Sequence, residues 1–226
     1  MIREFISIFQ SGDPLQGVSE RFTRMLTLTG DMTIAAGRIY FDGNVDPVAL
    51  QSIRTQDVEV NRLERRIRKL IVAHLSIRHD SVDLPYCLFL LSLAKDVERL
   101  GDYAKNLSEL AEIGGGPPPD DECVAELQAI RASVEQMYRD APTATSRGDA
   151  GLAVRHIQEG RQLTKRCEAL MRRIAEADYA PRTAVALALG ARYYKRFSGH
   201  LLNIFSSVVM PLHKLDFFDE DEIEKK

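Results

Sequence analysis

Cysteine is scarce in this chain of 226 residues. Its three examples, Cys87, Cys123 and Cys167, are odd in number, far apart and without a CxxC spacing. That pattern excludes a disulfide framework and a thiolate zinc site, and predicts buried free thiols in a reducing, cytoplasmic setting. Long apolar runs are missing too. The stretch from Leu84 to Ala94 stops at Lys95 and Asp96, short of the roughly 18 residues a bilayer-spanning helix needs. The first nine residues contain Arg3 and Glu4 and have no small-residue cleavage site, so they do not read as a signal peptide. Within them Ile2, Phe5, Ile6 and Phe9 recur at helical spacing, which predicts a cap on the folded body in preference to a membrane-surface contact. The formal charge is only −3, and no basic cluster is interleaved with aromatics, so nucleic acid is not an expected partner.

Catalytic signatures are equally sparse. The chain has no GxxxxGK[ST], GxSxG or HExxH, and Gly114–Gly116 runs into prolines instead of a helix that could cradle phosphate. Histidines 74, 79, 156, 200 and 213 are dispersed without an HxxxH pair and read as surface or interface residues. No enzymatic turnover is expected.

What the chain does have is helical periodicity throughout and no strand alternation, which makes it all-α. Tyr86, Leu90, Leu93, Val97, Leu100, Ala104, Leu107 and Ala111 form a seam repeating every 3.5 residues. A shift of 97 lays it on Leu187, Gly190, Tyr194, Phe197, Leu201, Ile204 and Val208. A shift of 104 lays Leu50, Ile53, Leu63, Ile67 and Leu70 on Val154, Ile157, Cys167, Met171 and Ile174. The chain therefore reads as a duplication. After an N-terminal arm (1–13) come three helices near 14–43, 46–78 and 84–113, then a Gly/Pro linker (114–119). Three more helices follow near 120–147, 149–178 and 182–210, forming two tandem antiparallel three-helix bundles, with an acidic tail from 211 to 226. Asn44 or Asp46 ahead of Pro47, and Asp120 or Asp121 after the prolines, are the expected N-caps. The tail residues 216–224 carry too much negative charge to pack, and Phe217 and Phe218 within them are candidate partner contacts.

The chemistry concentrates in Glu98 and Asp102, one helical turn apart, whose Cβ atoms fall about 6 Å from each other on one face. They flank the seam together with Asn106, so the site lies outside the core. Asp57 and Asn61 repeat the spacing on the preceding helix, with Glu64 a turn further on. Two antiparallel helices presenting oxygens in this way can surround a cation. The plainer reading is a salt-bridge network in which Arg99 lies beside the pair, Lys105 is nearby, and Arg62, Arg65 or Arg66 reaches across. At the equivalent places the second half carries Arg161, Lys165, Lys195 and Gly199, which would repel a metal and instead form an anion or acidic-protein contact or a surface salt bridge.

Residues 96–109, Asp-Val-Glu-Arg-Leu-Gly-Asp-Tyr-Ala-Lys-Asn-Leu-Ser-Glu, resemble the E-R-x-G-D-x-A-x-N-x-x-E signature of PhoU-type phosphate-uptake regulators. The resemblance covers roughly residues 14–210. It implies two tandem three-helix bundles and a non-enzymatic cytoplasmic protein that restrains phosphate uptake through contacts with a transporter and a sensor histidine kinase. It also implies metal held by E/D-x-x-x-D motifs. Glu98 and Asp102 match one motif fully, Asp57 matches the first position of the other, and Asn61 stands where its second acid belongs. One divalent or trivalent ion on the first bundle is therefore expected, and none on the second. Two other readings are an accessory protein of a low-affinity phosphate symporter and a metal-free helical adaptor. Self-association as a homo-oligomer, such as a dimer, and a peripheral association with membrane are left open.

Overall fold

A computed structural model describes residues 15–77 and 83–215. The N-terminal arm, the loop containing His79 and the acidic segment with Phe217 and Phe218 lie outside the described residues, as does the His213 side chain. Among the described residues six α-helices make up the body: α1 (Gln16–Asp42), α2 (Pro47–Ile77), α3 (Leu84–Gly114), α4 (Glu122–Arg147), α5 (Ala150–Glu176) and α6 (Pro181–Val209). Each boundary falls within two residues of its sequence-based expectation, because the punctuation is chemical. Asp46 Oδ1 accepts the Val48 N–H at 2.9 Å, and Asp121 Oδ1 accepts that of Val124 at 2.9 Å. Asp149 Oδ1 caps α5 through Leu152 N–H at 2.9 Å. Glycines in the left-handed region, Gly43, Gly115 and Gly148, end α1, α3 and α4. Pro211 to Leu215, expected to belong to the tail, instead stay with the body: a short 3-10 turn spans Leu212–Lys214 and Leu215 is buried.

Within each half the three helices pack on one another, and the halves meet through equivalent helices, α3 on α6 and α1 on α4. The seams predicted from the 3.5-residue repeat are buried at every position except Tyr86, which is partly covered. They face each other across the molecule. Tyr103 stacks on Tyr193 at 6.1 Å and on His200 at 5.6 Å, and meets Phe197 edge-on at 6.2 Å. Tyr40 reaches from α1 to donate to the Ala186 carbonyl at 3.2 Å. The apolar core is consequently continuous from α1 to α6. All three cysteines are free and buried inside it.

Candidate carboxylate site on the first bundle

Helices α2 and α3 run antiparallel, and this brings Asp57 and Glu64 of α2 alongside Glu98 and Asp102 of α3. Gly101 sits where the two helices come close: a Cβ there would lie 3.7 Å from Val60 Cγ1 and 3.8 Å from Asp57 Oδ1. Asp57 and Glu64 are buried, whereas Glu98 and Asp102 are partly exposed. The site is thus sunk deeper on its α2 side than an outer surface position implies.

Positive charge already reaches into it. Lys105 Nζ lies 3.2 Å from Asp57 Oδ2 and 3.3 Å from Asp102 Oδ1, bridging the two helices. Arg99 Nη1 approaches Asp102 Oδ2 at 3.4 Å, its Nε approaches Glu98 Oε2 at 3.8 Å, and Arg68 Nη2 meets Glu64 Oε1 at 2.5 Å. Of the expected partners Arg99 is present, while Arg62, Arg65 and Arg66 make no ion pair among the described residues. Asn61 contributes its backbone carbonyl, which accepts from Arg65 Nε at 3.1 Å. Among the described residues no group of three or more His, Cys, Asp or Glu side chains is arranged to hold a metal ion.

The electrostatics show which carboxylate is left over. Burial raises the Glu98 pKa above its ordinary range, and Asp102, Glu64 and Asp57 push it further against the opposing pull of Arg99. For Lys105, burial acts to lower the pKa but is outweighed by hydrogen bonds and charge from Asp57 and Asp102, so the ammonium is held above its usual value. Asp102, Glu64 and Asp57 therefore surround Glu98 with negative charge that one ammonium and two guanidiniums only partly neutralise. A hard cation suits such an all-oxygen donor set, and Lys105 is the group it would have to move. Glu64 is the member the i, i+4 pattern passes over; its spacing of seven from Asp57 puts it on the same helical stripe two turns along.

The second bundle differs at every equivalent place. Lys195 Nζ pairs with Glu168 Oε1 of α5 at 2.5 Å, and its charge holds the Glu168 carboxyl below the usual range. Nothing lies within 4 Å of where a Gly199 Cβ would stand. Of the alternatives for Lys195, the helix-surface salt bridge is the one present. The three described histidines each face a carboxylate on a different segment: His74 and Asp83 at 2.9 Å, His156 and Asp140 at 2.8 Å, and His200 and Asp96 at 2.8 Å.

Comparison with known proteins agrees with this architecture. The PhoU domain description matches residues 22–111, the half that keeps the acidic motif. A Phosphate-specific transport system accessory protein PhoU homolog of Pseudomonas putida is 26% identical over 168 residues, covering 70% of this chain and 64% of its own length. This chain thus spans just under two thirds of that relative. The Pseudomonas aeruginosa homolog is 25% identical over 175 residues, covering 74% and 71%. In fold, the chain is similar to the crystal structure of PhoU from Pseudomonas aeruginosa, with a TM-score of 0.80 and 23% identity over 88% of this chain and 97% of that one. It is also similar to the phosphate transport system regulatory protein PhoU from Streptococcus pneumoniae, with a TM-score of 0.74 and 18% identity over 86% and 93%. Residues 22–111, with the signature in α3, thus match the PhoU domain, and the chain as a whole shares the fold of the PhoU crystal structures.

Proposed function

We propose that this chain is a non-catalytic cytoplasmic regulator of phosphate uptake, acting by contact with a phosphate transporter component and a sensor histidine kinase, and carrying one cation site on its first bundle. The accessory role rests on the named relatives. The cation site rests on the negative charge that Asp102, Glu64 and Asp57 place around Glu98, whose pKa is raised first by burial and then by these neighbours. Asp57, Glu98 and Asp102 would hold the ion, with Asn61 as a neutral oxygen donor on the same helix. The ion would supply positive charge that Lys105 otherwise provides. The metal-free adaptor remains the second reading, favoured by Lys105 already bridging Asp57 and Asp102.

Metal analysis of the purified protein after exposure to manganese, iron, zinc or magnesium separates the two. Glu98→Ala/Asp102→Ala is expected to abolish retention while leaving the far-ultraviolet circular dichroism unchanged. Retention by the double variant, or none by the wild type, selects the adaptor. Co-purification with a transporter ATPase, a symporter or a sensor kinase tests the partner independently of the metal.

A further inference from the structure

The outward face of α2 carries a second pattern, distinct from the carboxylate site. Arg54, Val58, Arg62, Arg65, Lys69, Val72 and Ser76 follow one another at steps of four, four, three, four, three and four residues, so they lie on a single line along the helix. Every residue on this line is exposed. Arg54, Arg62, Arg65 and Lys69 make no ion pair among the described residues. The acids of α2 are committed elsewhere: Asp57 to Lys105, Glu59 to Arg24 and Glu64 to Arg68. From Arg54 to Val72 the line runs ~27 Å at 1.5 Å per residue.

The duplication supplies an internal comparison. The equivalent positions on α5 are Gln158, Gln162, Arg166, Ala169, Arg173 and Glu176. Of its two cations, Arg166 pairs with Glu126 at 2.7 Å and Arg173 with Glu122 at 3.3 Å. The unpaired basic line therefore belongs to α2 and is not a general property of the fold.

We propose that this face of α2 docks on an anionic lipid surface. Its charge is of one sign, spread along an exposed helix face, with Val58 between the cations and Val72 just beyond them. That is the pattern by which a basic helix face meets acidic headgroups. A protein contact of comparable extent is ordinarily centred on aromatic anchors seated in pockets, and the line has none. The whole chain is net negative at −3, so attraction to an anionic bilayer has to come from a local face such as this one.

Co-sedimentation with phosphatidylcholine vesicles, with and without phosphatidylglycerol, tests the proposal. The wild type is expected to bind only the anionic vesicles and to be released by salt. Arg62→Gln/Arg65→Gln/Lys69→Gln should weaken partitioning roughly hundredfold, at about fivefold per charge. The control variant Arg155→Gln/Lys165→Gln/Arg172→Gln removes the same charge from exposed positions of α5 and should bind as the wild type does. Absence of wild-type binding, or equal loss in the two variants, overturns the proposal. So does release by inorganic phosphate beyond that caused by chloride of matched ionic strength, or an α2 variant that loses binding to soluble polyglutamate but keeps it to vesicles. None of these outcomes depends on whether the carboxylate site holds metal.

Discussion

Glu98 carries a charge that its surroundings serve poorly. Because its folded pKa is raised, folding binds a proton that the unfolded chain has released. The associated stability is fully present below the ordinary glutamate range near 4.3, and is lost as pH rises through the higher folded value. Glu98→Gln removes this liability. It should be more stable than the wild type at pH 7 without added metal, with the difference closing in acid, as measured by urea unfolding at several pH values. A variant less stable at pH 7 would mean that Arg99 contributes more than the three neighbouring carboxylates cost.

At the level of elements, two glycines on paired helices differ in what they permit. Around Gly101 of α3 a Cβ would meet its nearest neighbour, Thr29 Cγ2, at 3.6 Å, an ordinary contact. Gly101→Ala should therefore be tolerated and gain up to about 1 kcal/mol from helix propensity. On α6, a Cβ at Gly190 would stand 2.6 Å from Tyr40 Oη and 2.9 Å from Cζ of its ring. That ring is held by its bond to the Ala186 carbonyl, so Gly190→Ala should cost about 1–3 kcal/mol through overpacking. Thermal denaturation of the two variants tests both signs. Proline also behaves differently by place: Pro47, Pro85 and Pro181 open helices, while Pro142 lies inside α4 and cannot donate to the carbonyl four residues back. Periodicity carries α4 through that position because the flanking Tyr138, Ala141, Ala144 and Thr145 are all buried.

For the whole molecule, the shared core and the contacts between α3 and α6 make the two bundles one cooperative body. Asp96 of α3 reaches His200 at 2.8 Å and Asn203 at 3.4 Å on α6, and Tyr103 stacks on the same imidazole. Calorimetry should accordingly show one unfolding transition. Asp96→Ala should lower its midpoint by an amount equivalent to about 1–3 kcal/mol, since the partly buried His200 imidazole and Asn203 lose their partner. Two resolved transitions would show that the halves fold separately.

The all-α class, six helices with their caps and breaks, the duplication and the acidic pair on α3 were all readable from residue order. Helix periodicity and capping are local, acting over three to eight residues, and a repeated seam is a property of the string itself. Which cation neutralises which carboxylate was not readable, because it depends on how far α2 and α3 slide past each other. That register sets Lys105 between Asp57 and Asp102, puts Glu64 near enough to act on Glu98 and leaves Asn61 with a backbone contact. The pairing of α3 with α6 was likewise decided only in three dimensions. Each seam is apolar enough to face any partner, and the side-chain shapes of Tyr103, Tyr193, Phe197 and His200 select one arrangement over the rest.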